Sequence, residues 1–345
     1  MRTLVIAVSL SFTLAVLYAP IVGAQSQSSL TAFAGLCLTD DEVAANEREA
    51  YEKPAMRFVE TIIGDKPENA YPELTDELRG KISSADFVRN INQVARTFQP
   101  LSDLHVEHSF RESLTALGSG ISVLPCTATA HGDSKAPEGR VMIAALPIPI
   151  QAHVIVEGKA RNNRLAFVVW LVPDKPSWRV TGYYVVPTTI LDKTATDVTG
   201  LARRERQRGN ALNSYILYAT AAQLAYRGPY LQLGIQPEIE KEKAALAVPP
   251  ELKGDPPFEW EFGNDHYHIV VIGPIGVGGV FDLRIEHRVA QTTDNRELDR
   301  QNRALIKEFK QAHPEYAQVF DGLLVQALMP NGSGFGTVEQ NQIGQ

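Results

Sequence analysis

After Pro100 the chain reads Leu101-Ser102-Asp103-Leu104-His105-Val106-Glu107-His108-Ser109-Phe110, and here its hydrophobic period changes. Leu104, Val106, His108 and Phe110 alternate with polar neighbours, the pattern of a half-buried strand. Upstream, Ala50, Pro54, Met56, Phe58, Val59, Ile62 and Ile63 fall at three- and four-residue steps, one apolar stripe of a helix that Gly64-Asp65 stops. Residues 67–78 read as a second short helix. Ser83-Ser84-Ala85-Asp86 caps a third, carrying Phe87, Ile91, Val94 and Phe98 at helical spacing. Downstream, Ile121-Val123 and residues 141–156, 165–172 and 178–186 read as strands between Gly, Asn, Asp and Pro clusters. Pro147 and Pro149 require that the strand holding them be an edge, bulged or broken. Helices followed by a run of strands predict an α+β class, with helices packed on antiparallel sheets.

The helix reading Phe58-Val59-Glu60-Thr61-Ile62-Ile63-Gly64-Asp65 is followed by Ala70-Tyr71, Leu74, Ile82-Ser83 and Phe87. The closing strand is Trp178-Arg179-Val180-Thr181-Gly182-Tyr183-Tyr184-Val185. Together these resemble the small secreted domains of the NTF2-like superfamily, over residues 42–190. The resemblance implies a bent sheet wrapped on helices as a cone. Trp178, Val180 and Tyr184 share one parity of their strand, so Trp178 and Tyr184 are candidates for a wall lining an apolar ligand pocket. Glu107 and Glu157 are the candidate acids of that domain.

A second α+β domain is predicted over residues 210–330, beyond a Thr/Asp- and Arg-rich linker at 191–209. Ala211, Leu212, Tyr215, Ile216, Ala219, Ala222 and Leu224 form a helix stripe that Gly228-Pro229 ends. Residues 235–246 read as another helix. Strands follow at Phe258-Trp260-Phe262, 268–272 and 280–289, then a helix over 294–312 and a last strand at 319–329. The tail, 331–345, is Gly/Asn/Gln-rich and is expected to be disordered. Arg203-Arg204-Glu205-Arg206-Gln207-Arg208 reads as a solvated basic face or a docking patch, and as the first site of tryptic attack.

Residues 1–24 combine Arg2, an uncharged apolar run and Val22-Gly23-Ala24, the parts of a cleavable signal peptide. Export to the periplasm or the outside of the cell is expected, with residues 25–41 as a flexible lead-in. No other segment approaches the roughly 20 apolar residues that a membrane span needs. Losing Arg2 takes the formal charge from −7 to −8. Such an acidic balance argues against nucleic acid as a partner, since that needs a basic face. The two cysteines, Cys37 and Cys126, fit one disulfide in an oxidising compartment.

His266 and His268 in Asp265-His266-Tyr267-His268 would share a strand face and are the candidate metal ligands, although no third ligand or HExxH spacing accompanies them. His105 and His108 should face opposite ways on a regular strand. Gly273-Pro274-Ile275-Gly276-Val277-Gly278-Gly279 lacks the Lys-Ser/Thr and helix of a P-loop and predicts a hairpin. No G-x-S-x-G or S-x-x-K signature occurs. The sequence thus points to an exported, non-catalytic binding or interaction module without a cofactor, its partner a small apolar ligand or an envelope protein. The alternatives are a pocket enzyme, an isomerase or hydrolase with a buried carboxylate in the cone, and a structural component of an envelope assembly.

Overall fold

The computed structural model describes residues 35–98, 100–115, 122–126, 141–161, 163–263, 265–291 and 293–341. The expected signal peptide, the start of the lead-in and residues 342–345 lie outside these. The chain runs β1 (Gly35–Thr39), α1 (Ala45–Ile63), α2 (Asp76–Lys81), α3 (Ser84–Phe98), β2 (Leu101–Leu114), β3 (Ser122–Cys126), β4 (Val141–Ala145), β5 (Ile150–Ala160), β6 (Asn163–Asp174) and β7 (Ser177–Pro187). It continues through β8 (Thr189–Ile190), β9 (Lys193–Thr194), α4 (Ala195–Arg208), α5 (Ala211–Ala225), β10 (Leu231–Gln232) and α6 (Ile235–Ala244). It ends with β11 (Phe258–Phe262), β12 (Asp265–Val277), β13 (Val280–Arg288), α7 (Asn295–Ala312), β14 (Gly322–Leu328) and β15 (Gly334–Gln340). Two compact units result. Among the described residues, the N-terminal unit holds 35–189 and 225–237, and the C-terminal unit holds 190–224 and 238–341. Both are α+β.

The N-terminal unit is built on a five-stranded antiparallel sheet, β1-β2-β5-β6-β7. One face carries Ala152, Val154, Val156, Leu165, Phe167, Val169 and Leu171 against Tyr51, Ala55, Phe58, Val59 and Ile62 of α1 and Phe87 and Ile91 of α3. The α1 stripe is therefore rotated from the expected one: Ala50 is exposed, and Tyr51 and Ala55 carry the contact. The other face carries Phe110, Ile155, Ala166, Val168 and Val186 in one cluster with Cys126, Ile143 and Leu231 of the three-stranded sheet β10-β4-β3. The proline-bearing run at 141–156 is broken into β4 and β5, with Pro147 and Pro149 between them.

Two irregularities decide which side chains reach which face. In β7, Gly182 pairs with Trp170 but Val180 pairs with Leu171, so Thr181 is an extra residue. In β2, Val106 pairs with Val156 but His108 pairs with Ile155, so Glu107 is extra. An extra residue reverses the alternation beyond it. Trp178 and Val180 therefore lie with the helix-side core, and Tyr184 and Val186 with the opposite one. The shared wall expected of Trp178 and Tyr184 does not form. For the same reason Leu104 and Val106 part company with Phe110.

In the C-terminal unit the sheet order is β11-β12-β13-β14-β15. β13 and β14 run parallel, with α7 as the crossover; the other pairs are antiparallel. Parallel neighbours need such a crossover. The mixed sheet sets this unit apart from the antiparallel N-terminal one. The glycine cluster forms the β12–β13 hairpin, where Gly278 and Gly279 both hold positive φ, 61° and 86°. A two-residue hairpin turn of this kind requires that conformation twice.

Three boundary expectations are corrected. The linker at 191–209 is instead helix α4, opened by a Thr194–Asp197 capping box and closed by Gly209 at φ 81°. Residues 225–237 return to the N-terminal unit and supply β10, which pairs with β4. The lead-in and the tail, expected to be loose, contain β1 and β15, which pair with β2 and β14.

Candidate functional site

On the N-terminal sheet, the face turned from the helices carries a row Phe110–His153–Trp170–Gly182 across β2, β5, β6 and β7. The neighbouring row runs Cys37–Glu112–Gln151 across β1, β2 and β5. Directly opposed residues point to the same side of a sheet, so these polar groups converge within an otherwise apolar layer. His153 Nδ1 lies 3.1 Å from Glu112 Oε1, and both side chains are 0% exposed. The imidazole stacks on Trp170, with ring centroids 4.9 Å apart.

Trp170 Nε1 donates to Gln151 Oε1 at 2.9 Å. Gln151 also takes the backbone N–H of Leu146 and donates to the carbonyls of Leu146 and Ile148, which pins the turn between β4 and β5. Tyr230 packs over Trp170 at 4.7 Å and meets Tyr184 at 5.6 Å. Gly228 makes space for the Tyr184 ring: a Cβ there, at φ 90°, would stand 2.8 Å from it, whereas one on Gly182 would meet Trp170 and Tyr230 at ordinary contact distances of 3.5 and 3.9 Å. The Cys37–Cys126 disulfide ties β1 to β3 beside Glu112.

Gln151 is satisfied on both its oxygen and its nitrogen, but the pair beside it is only half satisfied. Glu112 Oε2 and His153 Nε2 are buried and have no hydrogen-bond partner among the described residues. Burial pushes the Glu112 carboxyl above its ordinary range, and the charge and hydrogen bond of His153 pull it back only partly. Burial likewise raises the Tyr184 phenol, with Tyr230 adding to the shift, so that hydroxyl stays protonated at neutral pH.

The residues singled out by sequence fare differently. Glu157 is buried and held on both oxygens, by Arg164 Nη1 at 2.6 Å and Thr188 Oγ1 at 3.0 Å. Glu107 is the half-buried extra residue of β2. The charges of Glu107 and Glu157 oppose the desolvation that lowers the buried Arg227 guanidinium. These acids thus belong to a charged cluster at the far end of β5, away from the Glu112–His153 pair. The extra residue also brings His105 and His108 to one face by register, contrary to the expectation for a regular strand. His108 Nδ1 is engaged by Asp40 at 3.0 Å. Cys37 and Cys126 are bonded as expected.

In the C-terminal unit His266 and His268 do share a face, exposed on β12, and each faces a glutamate on β11. His268 Nδ1 is 2.8 Å from Glu259 Oε1, and His266 Nδ1 is 3.5 Å from Glu261 Oε1. Among the described residues no group of three or more His, Cys, Asp or Glu side chains could hold a metal. Arg203, from the basic run, is bound to Glu238 and Glu242 of α6. The buried network His287–Asn302–Thr337–Asp299 joins β13, α7 and β15 through contacts of 2.8–3.1 Å and is structural.

Sequence reasoning missed Glu112, His153 and Trp170. One signal was available: in β5, Gln151 and His153 occupy one parity while Ala152, Val154 and Val156 fill the other. No described helix is long and apolar enough to cross a membrane. No known family model, curated protein or solved structure matches the chain.

Proposed function

We propose that this chain is an exported, non-catalytic binding module whose N-terminal unit is of NTF2-like type. Its ligand site lies on the sheet face turned from the helices. The observation that carries this reading is the Glu112–His153 pair, fully enclosed with one polar atom of each residue unpartnered. Each unsatisfied buried polar group costs about 1–3 kcal/mol. Two of them cost a substantial share of the 5–15 kcal/mol that stabilises an ordinary domain. An apolar pair of the same shape would avoid that cost. A bound molecule that completes the hydrogen bonds offsets it, and the aromatic layer of Trp170, Tyr184 and Tyr230 supplies apolar contact. The helix-side face offers no comparable seat, because Phe58, Phe87, Phe167 and Leu171 fill it. The Cys37–Cys126 bond is compatible with an oxidising compartment.

Native mass spectrometry of the chain purified without detergent from its own compartment tests the proposal. It should show a stoichiometric small organic molecule that is released on denaturation and absent from a Glu112→Leu/His153→Phe variant. A bare mass from the native source would overturn the reading. The enzyme reading is kept for one reason: burial raises the Glu112 carboxyl, which is the condition for a general acid or base near neutral pH. Turnover of the co-purified molecule would favour it.

A further inference from the structure

We propose that Asn331 is a site of spontaneous covalent modification: its side chain closes onto the backbone nitrogen of Gly332, loses ammonia, and opens again to aspartyl and isoaspartyl forms. Asn331-Gly332 is the one Asn-Gly pair in the chain. It lies in the three-residue turn between β14 and β15. Met329 N–H donates to Ser333 O at 2.8 Å, Gly332 N–H donates to Met329 O at 2.9 Å, and Gly332 holds φ 81°. Asn331, Gly332 and Ser333 are all exposed, so water and hydroxide reach the turn.

The Asn331 side chain is folded back along the chain. Its Oδ1 accepts from Ser333 N–H at 3.0 Å and from Ser333 Oγ at 2.7 Å. An Asx turn of this kind keeps Cγ beside the next peptide nitrogen, and Gly332 has no Cβ to obstruct closure. As that nitrogen attacks Cγ, negative charge grows on Oδ1, where two donors are already aimed. The leaving group is free as well: Nδ2 of Asn331 donates to nothing among the described residues. Elsewhere Nδ2 is held. Asn210 and Asn213 each donate it to Glu205, Asn302 to Phe335 O and Thr337 Oγ1, and Asn341 to Phe320 O. Gly332 N–H must leave Met329 O to lose its proton, and a hydrogen bond in an exposed turn opens at little cost.

The bond from Gly332 N to Asn331 Cγ forms and the Cγ–Nδ2 bond breaks. The proton given up by the nitrogen leaves with Nδ2 as ammonia. Water then opens the cyclic imide. Cleavage at Cγ leaves aspartate, and cleavage at the Asn331 main-chain carbonyl leaves isoaspartate, whose chain runs through Cβ and Cγ. Water is the only co-reactant, and nothing is oxidised or reduced. Aspartate keeps an acceptor for both Ser333 donors and preserves the turn. Isoaspartate adds a backbone atom to a turn whose hydrogen bonds fix its length. It should loosen the start of β15, where Phe335 and Thr337 hold Asn302 of α7.

The oxidised full chain, incubated folded at mildly acidic and mildly alkaline pH, tests the proposal by peptide mass spectrometry with fragmentation that resolves isoaspartate. Asn331 should convert ahead of every other asparagine, to both products, and faster at alkaline pH because attack needs the deprotonated nitrogen. Ser333→Ala should slow conversion about threefold in the folded chain, the scale of one exposed hydrogen bond, and leave the rate in denaturant unchanged. In aged protein the Phe335 and Thr337 amides should exchange faster in the isoaspartyl fraction than in an Asn331→Asp variant. An Asn331 that stays intact, or converts no faster than the other asparagines, would overturn the proposal, as would equal folded rates for the parent and Ser333→Ala. A glycan on Nδ2 in chain from the native source, which Asn331-Gly332-Ser333 also fits as an acceptor pattern, would overturn it too, since the Cγ–Nδ2 bond would then be retained.

Discussion

Removing Glu112 and His153 singly and together separates a ligand-free structural ion pair from a costly, half-satisfied one. Both side chains are 0% exposed and 3.1 Å apart, so neither charge nor hydrogen bond can be passed to solvent. His153→Phe keeps a ring against Trp170 but strips Glu112 of its one partner. Breaking a buried pair in this way costs about 3–5 kcal/mol. Glu112→Leu leaves the imidazole with neither nitrogen partnered and should cost about 2–3 kcal/mol, two orphaned neutral groups instead of one. The double variant Glu112→Leu/His153→Phe removes every orphan and keeps the volume close to the original. It should fall within about 1 kcal/mol of the parent, or exceed it. The coupling energy across the cycle is then several kcal/mol, far above the usual additivity error of about 0.5 kcal/mol. Hydrogen exchange at β2 and β5 amides reads this for the N-terminal unit alone. Single losses that simply add, leaving the double variant worse than either, would refute the reasoning.

Four further outcomes follow from the same structure. Reducing Cys37–Cys126 opens a loop of 89 residues, for which chain entropy gives a loss of about 4–5 kcal/mol; denaturant midpoints of oxidised and reduced chain that coincide would contradict this. Gly228→Ala places a Cβ 2.8 Å from the Tyr184 ring at φ 90° and should destabilise by about 2–4 kcal/mol, whereas Gly254→Ala, at φ 94° in open space, should cost only about 1–2 kcal/mol; equal losses would show that the Tyr184 contact does not matter. Arg203 and Tyr218 hold the Glu242 carboxyl down to about 2, below its unfolded value, so their contribution is present above about pH 4.5 and is lost as pH falls toward 2; after discounting for the half-exposed Arg203 it amounts to about 1 kcal/mol, and acid unfolding of Glu242→Gln with an unchanged pH profile would exclude it. Trypsin should spare Arg203–Arg208 in early digestion because α4 is capped at both ends and Glu205 is buried under Arg208, Asn210 and Asn213; a first cut there would restore the linker reading.

The elements were legible where a single periodicity ran unbroken. Leu298, Leu305, Ile306 and Phe309 mark the buried stripe of α7 as expected, and Asp294 caps it through the N–H groups of Arg296 and Glu297. The hairpin at Gly278-Gly279 was legible because its conformation leaves few other residues to choose. Faces were not legible where a strand carries an extra residue. Thr181 and Glu107 look like ordinary alternating positions, yet each turns the rest of its strand over, which separated Trp178 from Tyr184 and brought His105 round to the face of His108. The candidate site was hidden for a related reason. Glu112 and His153 lie 41 positions apart, and only the β2–β5 register joins them. A helix at 195–208 was concealed because its buried stripe, Ala195, Val198, Thr199, Ala202 and Glu205, is made of small and polar side chains beside an Arg-rich run.

The central claim is that the Glu112–His153 pair holds a ligand. Crystallographic density around Glu112 Oε2 and His153 Nε2, in chain purified natively and kept oxidised, tests it most directly. The account predicts an organic molecule within hydrogen-bond reach of both atoms and in contact with Trp170 and Tyr230. A dry, collapsed contact at those two atoms, or isolated waters as their partners, would contradict it.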